Sequence, residues 1–257
     1  IEALLVFALA IGLGWPLGRY LAAVMRGAPM RGDRLFGWIE RPLYRLLGTA
    51  PAQGMTWRGY AKAFALSNLV VGGLVWTLFM TQAWLPLNPD AIPNMRWDTA
   101  LHTMVSFLTN TNQQHYSGQA QLSYLSQMVG IVGLQVITPM MGLALVVATL
   151  RALVGGREAT TAVGAPRATA SGDADVGNYW ADLIRPTLRF MLPLCLLWSV
   201  LLTSQGVPST LAAGPVATPV DASAGMQEQK IPLGPVAPMV AVKQLGTNGG
   251  GWYGPNS

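Results

Sequence analysis

The sequence predicts an all-α transmembrane fold: span–loop–span units that repeat, with short re-entrant half-helices between the spans. Three observations predict it. Only 11% of the 257 residues are charged while 51% are hydrophobic, against about 25% charged in average soluble domains. Uncharged runs long enough to cross a bilayer recur along the chain. Two of those runs are followed by a short apolar segment that stops in a polar, uncharged loop. A disordered chain, a secreted disulfide scaffold and a typical cytosolic enzyme are excluded. The single cysteine, Cys195, lies in an apolar stretch and supports neither a disulfide framework nor a Cys-rich metal site.

The first span is residues 3–18, extended past Arg19 by snorkelling. It lacks the basic start and small-residue cleavage site of a signal peptide. The chain has no initial Met, so the numbering is expected to begin inside a longer protein. Residues 63–89 carry no charge. As one helix this run would exceed a hydrocarbon core of ~30 Å, so the helix should end near Trp84, before Pro86 and Pro89. The third uncharged run, 116–150, should be helical over 121–150 with a kink at Pro139. The fourth span should run from about Ile184 to Ser204.

The basic residues set the orientation. Thirteen of the sixteen Lys and Arg fall between Arg19 and Lys62 or between Arg151 and Arg189. By the positive-inside rule those loops are cytoplasmic, and the segments 85–120 and 205–257 lie outside. The basic pI of 9.7 therefore reports topology. No basic stripe interleaved with exposed aromatics suggests nucleic acid. The organisation read from this is a first helix (1–25), a cytoplasmic loop (26–62), a first repeat (63–150), a cytoplasmic linker (151–183) and a second repeat (184–257), cut short before its returning span. The stretch 155–178 reads as a flexible, low-complexity linker and 206–235 as an extended outer cap.

Asp98 opens a segment with apolar residues at 101, 104, 105 and 108, the spacing of one helical face. Eleven residues give roughly half a bilayer. Six polar, uncharged residues follow, 109–114. The second half repeats this plan: Val236 to Leu245, then the loop 246–251. A shift of 138 places Thr109-Asn110 on Thr247-Asn248 and Thr111 on Gly249. Irregular backbone at membrane depth survives only inside protein or beside a water-filled cavity. Neither loop holds Asp or Glu, so no carboxylate ring is available for a divalent ion. Backbone carbonyls, Thr hydroxyls and Asn or Gln amide oxygens are neutral ligands of moderate field, as in potassium-channel-like filters, and each half-helix would aim the negative end of its dipole at them. Read singly, each loop is an ordinary outer turn; the pair, each behind a half-helix, favours a filter. The glycines at 249–251 are not a phosphate loop, since no Gly-Lys-Ser/Thr follows.

The stretches SFLTNTNQQHYSG (106–118), PLNP (86–89) and GPVAPMVAVKQLGTNGGGWYGPNS (234–257) closely resemble the potassium-translocating A-subunit family, KdpA, of bacterial Kdp P-type ATPases, and the resemblance spans nearly the whole chain. It implies four span–pore–span repeats after a first helix, of which this chain would be the N-terminal half. The family's cargo is K+, with no organic cofactor and no catalytic residue in this subunit. ATP hydrolysis is expected in a partner B subunit, with small C and F subunits completing the complex in the bacterial inner membrane, the filter facing outward. By matching positions, Thr109, Asn110, Thr111, Asn112 and Gln114 would line the first repeat's share of that filter, and Gly246, Thr247, Asn248, Gly249, Gly250 and Gly251 the second's. Gln113 stands where the family often has Trp, which bears on packing behind the loop.

Other residues carry weaker readings. His102 and His115 are too far apart, in the wrong element, for a metal pair. Asn68 and Gln135, polar residues within spans, should hydrogen-bond between helices. Lys243 should anchor its half-helix rather than meet a cation. Neither an Asp-Lys-Thr-Gly motif nor a Walker loop occurs, so any ATP chemistry belongs to a partner. A stand-alone Trk/Ktr-type K+ transporter and a membrane scaffold without an ion path are the competing functions.

Overall fold

The structure is a computed structural model that describes residues 2–154, 175–221, 223 and 225–254. It is mostly helical. In chain order come α1 (Glu2–Arg26), α2 (Asp33–Leu46), α3 (Trp57–Thr81), α4 (Trp97–Leu108), the single turn α5 (Gly118–Gln121), α6 (Gly133–Leu153), α7 (Tyr179–Pro186), α8 (Leu192–Ser204) and α9 (Val236–Leu245). Wide turns at Ser126–Val132 and Thr187–Met191 run directly into α6 and α8. Four stretches are long and apolar enough to cross a membrane: Glu2–Arg26, Trp57–Trp84, Ser126–Leu153 and Tyr179–Ser204.

All four expected spans are present, but their ends differ. The first continues to Arg26, and the second begins at Trp57 rather than 63, because Arg58 and Lys62 are carried on the helix itself. Its other end falls at a 3-10 turn, Gln82–Trp84, after which Leu85 turns extended ahead of Pro86. The third span starts at Ser126 instead of 121, and the fourth at Tyr179 instead of 184, ahead of Arg185. Asn178 caps that helix by accepting the Ala181 N–H at 3.1 Å. The expected loop 26–62 contains α2, whose charged residues hid a regular helix. The segment expected to form an outer cap, 206–235, holds a two-residue antiparallel pairing of Val216–Ala217 with Gln229–Lys230.

The described residues form two compact units, each discontinuous in sequence. The first comprises residues 1–65 and 140–192. Its core gathers Tyr60, Ala144, Ala148, Val176 and Tyr179. The Tyr60 hydroxyl donates to the Ala144 carbonyl at 2.8 Å, and Arg151 grips the buried Asp182 with both guanidinium arms at 2.5 and 3.0 Å. Removing either charge would strand the other in an apolar place, at a cost of about 3–5 kcal/mol. Most of the expected linker 155–178 lies outside the described residues. Its end, 175–178, is buried and ordered: the Met55 N–H donates to the Gly177 carbonyl at 2.8 Å, and the Asn178 amide donates to the Ala50 and Gln53 carbonyls.

The second unit comprises residues 66–139 and 193–257. Val75, Phe79, Met104, Phe107, Tyr124, Leu134, Met239 and Trp252 pack in one core. Trp252 is fully enclosed, donates its indole N–H to the Leu233 carbonyl at 3.2 Å, and meets Tyr124 edge to face. Gly234, at φ 145°, lies against its ring where no side chain fits. Gln82, also fully buried, donates to the Pro93 and Gln121 carbonyls and accepts the Ser123 N–H. It ties the segment before α4 to the segment after α5.

Candidate functional site

Two half-length helices of the second unit end in the same way. At the end of α4, the N–H of Thr109 bonds the Val105 carbonyl at 3.0 Å, that of Asn110 bonds Phe107, and that of Thr111 bonds Ser106. At the end of α9, the N–H of Gly246 bonds Val242, that of Thr247 bonds Gln244, and that of Asn248 bonds Lys243. The residue that reverses the chain is left-handed in both: Asn110 at φ 59° and Thr247 at φ 55°. Asn accepts that conformation locally; for a β-branched residue it is an outlier, held by its surroundings.

These helix ends superpose with a shift of 137, one less than the match of Thr-Asn to Thr-Asn. Geometry therefore sets Asn110 on Thr247 and Asn112 on Gly249. The second left-handed residue is Asn112 (φ 58°) in the first loop and Gly250 (φ 81°) in the second, which restores the shift of 138. The second loop carries one additional residue between its two reversals.

The first loop is wound around Ser106. Its carbonyl accepts the N–H groups of Thr111 and Asn112 at 2.9 and 3.0 Å, while its hydroxyl accepts the Gln113 N–H at 2.7 Å and donates to the Gln113 carbonyl at 3.0 Å. The Gln113 side chain is exposed and plays no part in this clamp. From 111 to 118 exposed and buried residues alternate, with Asn112, Gln114 and Tyr116 turned inward.

The two loops meet through side-chain amides. Asn110 Oδ1 accepts from Asn248 Nδ2 and, at 3.2 Å, from Asn112 Nδ2. Gln114 exchanges two hydrogen bonds with the Gly251 backbone. The helix after the first loop adds three more ties. Gln127 donates to the Trp252 carbonyl at 3.3 Å, Gln135 to the Gly249 carbonyl at 2.8 Å, and the Thr138 hydroxyl lies 3.4 Å from Asn110 Oδ1. Gly118 sits where a Cβ would overlap the Trp252 carbonyl, so the small residue permits this contact.

The arrangement leaves neutral oxygens without donors. The two loops carry only uncharged oxygens, from backbone carbonyls, Thr hydroxyls and Asn or Gln amides. Three of the amide oxygens at this site, those of Asn112, Asn248 and Gln135, are buried and have no donor. Buried acceptors are normally paired. A cluster of unpaired, uncharged oxygens with no carboxylate in either loop suits a weakly hydrated monovalent cation and leaves a divalent ion uncompensated.

The structure thus gathers all eleven site residues singled out in the sequence into two adjoining loops of one unit. It also shows residues the sequence reading passed over or set aside. Ser106, Gln127 and Thr138 hold the loops, and Gln135, expected only to join helices, holds a loop carbonyl. Their signal was present: 127, 131, 134, 135 and 138 fall on one helical face, and polar groups on it needed partners. His102 and His115 are a correction. Their rings lie edge to face with centroids 4.4 Å apart, because the chain doubles back after α4. Among the described residues no group of three or more metal-ligating side chains occurs. Lys243 is buried on α9.

The family model for the potassium-transporting ATPase A subunit, KdpA, matches residues 4–257. The chain is 42% identical over 255 residues to the potassium-transporting ATPase potassium-binding subunit of Pseudomonas putida, covering 99% of this chain and 42% of that protein. The proteins of the same name from Alicyclobacillus acidocaldarius and Desulfovibrio desulfuricans are 42% and 40% identical, over 99% and 100% of this chain and 42% of each. The chain spans about two fifths of the length of the curated relatives it matches.

Proposed function

The chain belongs to the potassium-transporting ATPase A-subunit family, and from that membership we propose that it supplies part of the K+-binding filter of an ATP-driven uptake complex. Loops 109–114 and 246–251 are read as two shares of the filter, each borne by a re-entrant half-helix, the first in a span–pore–span repeat over 63–150 and the second in the span–pore part of a repeat over 184–257. The observation that carries this reading is the meeting of both loops around unpaired neutral oxygens. Potassium loses its hydration shell at modest cost, and neutral dipoles replace that shell without trapping the ion. The relatives are named as the potassium-binding subunit of the ATPase, which supports assigning hydrolysis to a partner B subunit, with C and F subunits beside it. The basic residues clustered within 19–62 and 151–189 favour an orientation with both loops toward the outer face of the bacterial inner membrane.

The test uses the full-length protein in detergent. Potassium and rubidium should raise its unfolding temperature in a saturable manner, and sodium should not. At one hundred times Kd the expected stabilisation is about 2.7 kcal/mol. Equal curves with potassium and sodium would remove the filter assignment, and failure of an ATPase subunit to co-purify would remove the pump.

A further inference from the structure

Helix α2 is built inside out. Three residues, Asp33, Glu40 and Tyr44, recur at i, i+7 and i+11 on one face, and Glu40 and Tyr44 are buried. That polar face docks on Arg189, which donates to Glu40 Oε1 and Oε2 at 2.5 and 3.0 Å and to Asp33 Oδ1 at 2.5 Å. These bonds fix the rotation of α2 about its own axis. The opposite stripe, Leu35, Trp38, Ile39, Pro42 and Leu46, spans about 100° of arc and faces outward. Leu35 is 66% exposed, Trp38 78% and Leu46 84%.

In water this rotation would waste the apolar stripe. The position of α2 in the chain supplies another solvent: short connections join it to α1 and α3, both long enough to cross a membrane. Along one edge of the stripe run Arg34, Arg41 and Arg45, again at i, i+7 and i+11 and all exposed. An apolar stripe flanked by guanidinium groups matches a bilayer boundary in which phosphates lie just above acyl chains. We propose that α2 is an interfacial helix that seats Leu35, Trp38 and Leu46 at the acyl boundary while Arg34, Arg41 and Arg45 hold anionic phospholipid headgroups. The occupant is an anionic lipid surface rather than a protein, because the charge on the flank is wholly basic.

The test is independent of any transport activity. The full-length protein, with Cys195→Ser and every cysteine outside residues 1–257 replaced as well, takes a nitroxide at position 38 and is placed in nanodiscs of phosphatidylcholine with or without phosphatidylglycerol. Expected is high collision with oxygen and low collision with a water-soluble nickel chelate, as for a site below the phosphates. A nickel preference would place the stripe in water and overturn the proposal. Shielding from both reagents would mean that protein covers it, and would overturn the proposal equally. In mixed nanodiscs extracted with detergent, the wild type should retain phosphatidylglycerol above its bulk fraction. The variant Arg34→Gln/Arg41→Gln/Arg45→Gln should lose that enrichment, and unchanged enrichment would overturn the headgroup assignment.

Discussion

Gln114 and Gly251, 137 residues apart, pair as two strands of a sheet would: the Gly251 N–H donates to Gln114 Oε1 at 2.9 Å and Gln114 Nε2 returns a bond to the Gly251 carbonyl at 3.2 Å. A side-chain amide has taken the part of a backbone peptide. Because both groups are buried, the pair fixes one loop against the other at a point that water cannot repair.

Gln114→Ala removes both bonds and leaves a buried N–H and C=O unmatched, at about 1–3 kcal/mol for each such group. Since about 1.4 kcal/mol is tenfold in an equilibrium constant, the potassium half-saturation of the whole complex should rise tenfold or more. Ion-stimulated ATP hydrolysis, titrated with potassium, checks this. An unchanged half-saturation would mean that the loops need no tie between them.

Gly249 and Gly250 should respond differently to a single methyl group. At Gly249 an added Cβ meets only Asn112, at 3.7 Å or more, whereas at Gly250 it meets the Phe107 ring at 3.1 Å in a left-handed backbone. Left-handed geometry alone costs a residue with a Cβ roughly 1–2 kcal/mol. Gly250→Ala should therefore weaken potassium binding roughly tenfold or more, and Gly249→Ala by only a few-fold, in the same titration. The reverse order would show that the second loop turns elsewhere.

What was legible in the sequence, and what was not, divides by physical cause. Uncharged runs revealed all four spans, since a bilayer excludes charge. They misplaced the ends, because residues such as Arg58, Lys62 and Arg185 ride on helix termini where charge is tolerated. Helix α2 was hidden because its period serves three surroundings at once, with acid inward, apolar outward and base at the edge. The loops were legible as composition, but their register was not: matching Thr-Asn to Thr-Asn ignores where the helices stop, and the hydrogen bonds at Thr109 and Gly246 decide that. The meeting of His102 with His115 and the reach of Gln135 to Gly249 depend on chain reversal, which no spacing rule reports.

Acid should act on the docking of α2 late. The N–H of Met30, and then Arg189, hold the Asp33 carboxylate below its ordinary value of 3.8. A lowered folded-state pKa means that the contribution is present above the unfolded value and lost as pH falls through the folded one. Mobility of a nitroxide on α2 should thus stay constant from pH 7 to about 4 and rise only below it. Asp33→Asn should remove that last acid step. Loosening centred above pH 5 would contradict the assignment.

Asn112→Asp tests the neutrality of the site at nearly constant shape. Asn112 is buried, its Nδ2 donates to Asn110 Oδ1 at 3.2 Å, and its own Oδ1 has no donor. Aspartate would lose the donor, set a carboxylate oxygen against the Asn110 oxygen, and place a negative charge among neutral loop oxygens. Higher field strength favours smaller or more strongly hydrated cations. Potassium half-saturation should rise tenfold or more while sodium gains the ability to stimulate hydrolysis, with the complex still assembled. Asn112→Ala separates the two effects, since it removes the donor without adding charge: affinity should fall, but sodium should gain nothing. If the aspartate and alanine variants rank potassium, rubidium and sodium alike, field strength is not what this site uses to choose its ion.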